Sequence, residues 1–217
     1  MNDFKYNTFT LSKKKKRRHE SRKRSKTIEE IVSFVKEKSN ILLKSKFYIE
    51  LKEGIKYQFL PPHRPNIVDI VAYGIGSIQD SNISQYQFAL LLIFKNIFQI
   101  TGRIYAFDPK LTQIDIEALN YFEVELIKTN EKAKRSIINQ TLFFMPHCPL
   151  GLYNNLIKSN WDINKLENII IFGNRLKFYE EIMTKATLDR KAPHLIIVIQ
   201  QQIHRPITRI MMIIKKT

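Results

Sequence analysis

A doubly wound α/β domain, Rossmann-like, with a mostly parallel sheet and an N-terminal helical extension, is the fold class this sequence predicts, and three observations predict it. Short runs rich in Ile, Val and Phe, such as NIVDIVAY (66–73), TLFFM (141–145) and NIIIF (168–172), read as strands buried on both faces. Stretches of helical length separate them. Each run stops at turn chemistry: Gly74-Ile75-Gly76, Pro146-His147-Cys148 and Gly173-Asn174. Strands that alternate with helices need crossovers, which make the sheet parallel and cover both its faces.

The elements follow in order. Thr27-Ile28-Glu29-Glu30 has capping-box spacing, and Ile28, Ile31, Val32 and Val35 recur at helical period, so a helix runs from there to about Ser39. A helical or irregular stretch continues to Gly54. PPHRP (61–65) cannot extend a helix, because proline lacks the amide hydrogen and restrains its predecessor. It divides an N-terminal helical extension (26–60) from an α/β domain (61–217). Within that domain the predicted order is strand 66–73, helix 84–100, strand 103–107, helix 112–122, strand 124–128, strand 141–145, helix 150–159, strand 168–172, helix 176–186 and a last strand over 194–200.

At 217 residues and 44% hydrophobic the chain supports one substantial core. Its single cysteine excludes an intrachain disulfide, and no apolar run is long enough to serve as a secretory signal or a bilayer span. A soluble protein of the cytoplasm, the nucleus or both is expected, with no membrane contact. The net charge of +16 is unevenly spread: residues 13–26, KKKKRRHESRKRSK, hold ten Lys/Arg and one Glu. Residues 1–25 therefore read as a disordered basic tail, serving as a solubilising arm, a nuclear-localisation signal or a nonspecific polyanion contact. No base-reading motif accompanies it, so sequence-specific nucleic-acid binding is not expected.

In an open parallel sheet, ligands settle outside the carboxyl ends of the strands, where strand order reverses. The polar residues at the predicted strand ends converge there: Gly74, Gly76 and Ser77 after the first strand, Asp108 after the second, His147 and Cys148 after the fourth, Gly173 and Asn174 after the fifth. Asn154 and Asn155 continue this strip along the next helix, with Tyr153, Asn160 and Trp161 beside them. Gly74 and Gly76 permit close backbone approach to a ligand, and Asp108 suits a ribose hydroxyl. Equally, the glycines make a turn and Asp108 opens one. The dinucleotide fingerprint needs glycine where Gln79 stands, which speaks against a nicotinamide enzyme and leaves S-adenosylmethionine or another nucleotide as a candidate cofactor. Cys148 has a helix immediately after it, yet His147 is poorly placed to act as general base for its own neighbour. Cys148-Pro149 is also a dipeptide of haem-responsive cysteines, with Cys148 and His147 as the ligands in that case. The scattered His63, His147, His194 and His204 offer no zinc spacing, and no metal is expected. A structural or small-ligand-contacting role for the pair stands beside these readings. No catalytic set can be assembled.

MPHC followed by LYNNLIKSNW, preceded by YGIGS, SQYQFALLL and YAFDP and followed by IIIFGN, resembles the Sensitivity to Red Light Reduced (SRR-like) domain family, in order from about Asn66 to Asn174. The resemblance implies a noncatalytic intracellular regulatory protein, acting through protein partners or a sensed small ligand such as haem, with links to circadian rhythm and to regulation of haem biosynthesis. The alternative from the residues themselves is a methyltransferase-like or other nucleotide-binding enzyme using Gly74, Gly76 and Asp108. The chain departs from the family pattern after Asn174, where Arg175 and Leu176 replace a serine-rich continuation. Its closing HRPITRIMMIIKKT also lacks an acidic, aromatic end segment.

Overall fold

The structure, a computed structural model, describes residues 26–59, 65–174, 177–201 and 209–212. The basic run up to Ser25, PPHRP up to Arg64, and Arg175 and Leu176 lie outside the described residues. Six parallel strands form one sheet: β1 (Asp69–Tyr73), β2 (Ile104–Phe107), β3 (Glu125–Leu126), β4 (Thr141–Met145), β5 (Ile169–Gly173) and β6 (Arg209–Met212), in the spatial order β3-β2-β1-β4-β5-β6. This is the order of a dinucleotide-binding doubly wound sheet, and its direction reverses between β1 and β4. The predicted α/β class is what the chain adopts.

Register follows from burial on both faces. Alternate residues of each central strand feed two separate cores: Ile70 and Ala72, Leu142 and Phe144, Ile170 and Phe172 on one side; Val71 and Tyr73, Phe143 and Met145, Ile169 and Ile171 on the other. A one-residue slip would exchange the two sets, so the pairing of Ala72 with Phe144 and of Phe144 with Phe172 is strongly specified.

The first face is covered by α1 (Ile28–Leu43), α2 (Lys46–Gln58), α3 (Asn82–Ile97) and α4 (Gln113–Tyr121). The expected capping box is present, with Glu30 N–H donating to Thr27 Oγ1 and Thr27 N–H to Glu30 Oε2, and Ile31 and Val35 of α1 are fully buried. The helix runs four residues past the predicted Ser39. Phe94 of α3 wedges edge-on between Phe144 and Phe172, which stack at 5.4 Å, and so fixes α3 over β4 and β5.

The second face is covered by α5 (Leu150–Ser159), α6 (Ile163–Leu166), α7 (Lys177–Ile182), α8 (Lys185–Lys191) and α9 (Pro193–Gln201), with residues 127–140 laid across it as an irregular strap between β3 and β4. Two consecutive strap residues, Lys132 and Ala133, hold positive φ of 51° and 56°. That is unusual outside glycine, and the turn is held locally by Asn130 Oδ1 accepting from Lys132 N–H and by Lys134 N–H donating to the Glu131 carbonyl.

Two sequence expectations need correction. The run 194–200 is not the last strand but most of α9, and the sixth strand is β6, drawn from the closing segment. An unbroken apolar run fits either state, and α9 is selected from a distance: Asn154 Oδ1 accepts the His194 and Leu195 amides at 3.1 and 3.3 Å, filling the cap that the local sequence lacks. The single helix expected over 176–186 is two, because Thr184 caps a new start by accepting from Thr187 N–H.

Candidate functional site

The carboxyl ends of β1, β2, β4 and β5 line up along one edge, which brings Gly74, Gly76, Ser77, Asp108, His147, Cys148, Gly173 and Asn174 together there. Asn154 and Asn155 sit one turn into α5 behind that edge. The chemistry of the edge is set by what these groups already hold.

Gly74 and Gly76 have φ of 78° and 72°, a conformation that L side chains adopt at a cost. A Cβ on Gly74 would stand 3.0 Å from Cys148 Sγ, so the missing side chain leaves room for that sulfur. Cys148 is 3% exposed, and its S–H donates to the Tyr73 carbonyl at 3.3 Å. The sulfur thus bridges the ends of β1 and β4, where the strand order reverses and such sheets open their binding crevice. Burial first, and the Asp108 charge second, push this thiol up to about 12. A buried thiol held protonated in this way is a poor nucleophile and a poor thiolate ligand.

His147 parts company with its neighbour. It is exposed, with φ of 59°, and its amide donates to Asn174 Oδ1 at 2.9 Å. Asn174 is a clamp across the ends of β4 and β5. Its Nδ2 donates to the Cys148 carbonyl at 3.1 Å and to Tyr179 Oη at 2.8 Å, while its N–H donates to Tyr153 Oη at 3.0 Å. Tyr153 in turn donates to the Met145 carbonyl, and burial raises its pKa. Gly173 belongs to the same clamp, since a Cβ there would meet Tyr153 Oη at 2.6 Å.

The glycine turn is equally self-contained. Asp108 accepts the Gly76 amide on Oδ2 at 2.9 Å and the Lys110 amide on Oδ1 at 2.8 Å. Fully buried Asp115 accepts the Gln79 amide at 2.8 Å, and Gln79 Nε2 donates to Thr112 Oγ1. Ser77 pairs with Asp80. Gln79, standing where the dinucleotide fingerprint has its third glycine, ties the turn to the start of α4. Phosphate recognition by such a turn needs free backbone amides and a helix that opens directly behind them. Here two carboxylates occupy amides of the turn, and α3 begins only at Asn82.

The asparagines of LYNNLIKSNW are fasteners as well. Asn154 caps α9. Asn155 Nδ2 donates to the Lys132 carbonyl at 2.9 Å, and fully buried Asn160 accepts the Ile137 amide while donating to the Arg135 and Leu156 carbonyls. These contacts tie the strap to α5 at Lys132, Arg135 and Ile137, on either side of positive-φ Ala133.

A cluster the sequence did not announce adjoins the edge. Tyr73 donates to Glu131 Oε2 at 2.7 Å, Arg135 pairs with both Glu131 oxygens at 2.6 and 3.0 Å, and the guanidinium lies 4.6 Å from the Tyr105 ring centre. Partial burial alone would raise the Glu131 pKa, but hydrogen bonds from Arg135 and Tyr73 and the Arg135 charge outweigh it and hold the carboxyl below its ordinary value. Burial, then the bond to Glu131, raises that of Tyr73. Glu131 and Arg135 are four apart in a segment with no helical period, which left no pattern to find.

A family model described as the SRR1 domain matches residues 42–210. The chain belongs to the SRR1 domain family. It is 37% identical over 115 residues to "Protein SENSITIVITY TO RED LIGHT REDUCED 1" of Arabidopsis thaliana, covering 52% of this chain and 42% of that protein. An "SRR1-like protein" of Mus musculus is 33% identical over 130 residues, covering 59% of the chain and 52% of that protein. One of Drosophila melanogaster is 24% identical over 133 residues, with 61% and 48% covered. The chain spans about half the length of the curated relatives it matches. No solved structure matches it. The MPHC and LYNNLIKSNW strings of this SRR1 chain supply Cys148 and Tyr153 to the strand-end clamp, and Asn154, Asn155 and Asn160 to the fastening of α9 and the strap. Among the described residues no cluster of His, Cys, Asp and Glu is able to hold a metal ion, and no helix is long and apolar enough to cross a membrane.

Proposed function

We propose that the protein is a noncatalytic regulatory module that works by contact with protein partners rather than by chemistry at its strand-end edge. The observation that carries this reading is the Cys148 sulfur seated against Gly74 and bonded to the Tyr73 carbonyl, filling the place where a doubly wound sheet receives its ligand. Asp108, Asn174 and Tyr153 around it are engaged with neighbouring backbone groups. The name of the Arabidopsis relative ties that protein to red-light sensitivity, and a comparable regulatory role, in rhythm or in the control of haem synthesis, is carried to this chain as part of the proposal.

Haem as a sensed ligand does not fit Cys148. An iron-bound cysteine is a thiolate facing open space, and this group is a buried, protonated thiol. The methyltransferase-like alternative is disfavoured by the amides that Asp108 and Asp115 occupy. Residues 13–26 supply the charge for nonspecific polyanion contact or nuclear entry, in a protein of cytoplasm or nucleus.

Thiol reactivity tests the closed edge. At pH 8 a thiol with a pKa of about 12 is deprotonated in about one molecule in ten thousand, so native protein labels with a disulfide reagent far more slowly than urea-unfolded protein. Rapid stoichiometric labelling of the folded chain would overturn the reading. So would a rise of several degrees in melting temperature with saturating S-adenosylmethionine, nucleotide or haem.

A further inference from the structure

The tyrosine and the asparagines of LYNNLIKSNW are internal fasteners; its tryptophan is not. Trp161 is 46% exposed and rests edge-on against His194, with ring centroids 4.9 Å apart. Two large aliphatic side chains stand out of the surface nearby: Ile163, the first residue of α6, at 51% exposure, and Ile138 at the end of the strap, at 94%. Asn160 accepts the Ile137 amide at 3.0 Å, and Lys165 Nζ donates to Ser136 Oγ at 2.9 Å. These two bonds lay the end of the strap alongside α6, so the three exposed apolar residues share one neighbourhood.

The charges around this patch lean positive: Lys134, Lys158, Lys165, Arg190 and Lys191 stand against Asp162, Glu167 and Asp189. Asp162 is spent on capping α6, accepting from the Asn164 and Lys165 amides, and Glu131 is paired with Arg135. Lys134 and Lys158 are exposed and form no ion pair among the described residues, and α8 ends in Arg190 and Lys191, three to four residues before His194. An indole with two aliphatic neighbours and a cationic rim has the anatomy of a small binding hot spot: an apolar anchor that excludes water, and outer charges that steer an oppositely charged partner.

We propose that Trp161, Ile138 and Ile163 form a docking surface for an acidic amphipathic peptide segment of another protein. Apolar side chains of the segment cover the indole and the isoleucines, while its carboxylates face the lysines and arginine of the rim. The aliphatic flanks favour a peptide over a single-stranded nucleic acid, because they give a base nothing to stack on. The proposal rests on the reading that the protein works through partners and names where one binds.

Trp161 is the chain's only tryptophan, so intrinsic fluorescence reports on this patch alone. The full chain is titrated with a synthetic helical peptide carrying Leu at positions i, i+3, i+4 and i+7 and Glu elsewhere, and with the same peptide carrying Lys for Glu. The acidic peptide is expected to shift the indole emission to shorter wavelength, saturably. Adding salt weakens it, and the basic peptide is without effect. Ile138→Asp and Lys134→Glu, both at exposed positions, are each expected to weaken binding about tenfold while leaving the melting temperature in place. No saturable shift with the acidic peptide, an equal response to the basic one, or unweakened binding to Ile138→Asp overturns the proposal. So does a response confined to an oligouridine strand or to phosphatidylserine vesicles. Such failures leave the closed edge standing, because that is judged by thiol reactivity and melting temperature.

Discussion

Replacing Asn160 by alanine is expected to remove a large share of the stability of this fold. The residue is fully buried, and its amide satisfies three main-chain groups: the Ile137 N–H at 3.0 Å, the Arg135 carbonyl at 2.8 Å and the Leu156 carbonyl at 3.0 Å. Truncation strands at least the first two, and a buried polar group left without a partner costs about 1–3 kcal/mol. Water entering the vacated space recovers part of this, so the expected loss is about 3 kcal/mol against a total of about 5–15 for a domain of this kind. With a urea m-value of about 2–3 kcal/mol/M, the unfolding midpoint falls by about 1–1.5 M at unchanged m. Asn160→Asp separates hydrogen bonding from side-chain volume. Its carboxylate keeps the acceptor for Ile137 but turns an oxygen toward the Arg135 and Leu156 carbonyls, which raises its folded pKa above the unfolded value. Its deficit is therefore smallest at acid pH, where a protonated carboxyl donates, and grows as pH rises through the raised pKa. Equilibrium urea unfolding read by Trp161 fluorescence measures both. A loss below about 1 kcal/mol for Asn160→Ala, or an Asn160→Asp deficit indifferent to pH, would refute the claim that this side chain holds the strap.

Gly74→Ala meets both a positive φ and the Cys148 sulfur at 3.0 Å, for an expected loss of about 1–2 kcal/mol or more. Combined with Cys148→Ala, which vacates that space, the two losses sum to more than the double variant shows; strict additivity in a denaturation cycle would mean the residues do not touch. Glu131, held below its ordinary pKa, contributes stability that is present above the ordinary carboxylate range and is lost as pH falls through the lowered folded value. The urea midpoints of wild type and Glu131→Gln are thus expected to differ at pH 7 and to converge as pH falls below the ordinary carboxylate range, and a difference constant across that fall would count against the pair with Arg135.

The first five strands were legible in the sequence because a parallel sheet covered on both faces demands apolar runs, and NIVDIVAY, TLFFM and NIIIF have no other economical reading. The sixth was not. HLIIVIQ is as apolar as any of them, and the asparagine that caps its helical start lies forty residues upstream, outside any local window. The edge shows the same division. That Gly74, Asp108, Cys148 and Asn174 come together followed from strand order alone. That they bond to one another did not, because the pairs are far apart along the chain: Gly76 with Asp108, His147 with Asn174, Cys148 with Tyr73. A polar residue kept for a ligand and one kept for a neighbour look identical until the neighbour is in place.

The strap bears on synthesis. Residues 131–137 leave the ribosome before the asparagines that secure them at 155 and 160, so these ties are missing while the chain is short. A nascent polypeptide ending before Asn160 carries β1 to β4 with this stretch unfastened. Only once α5 and Asn160 have emerged can the strap take its final course between β3 and β4.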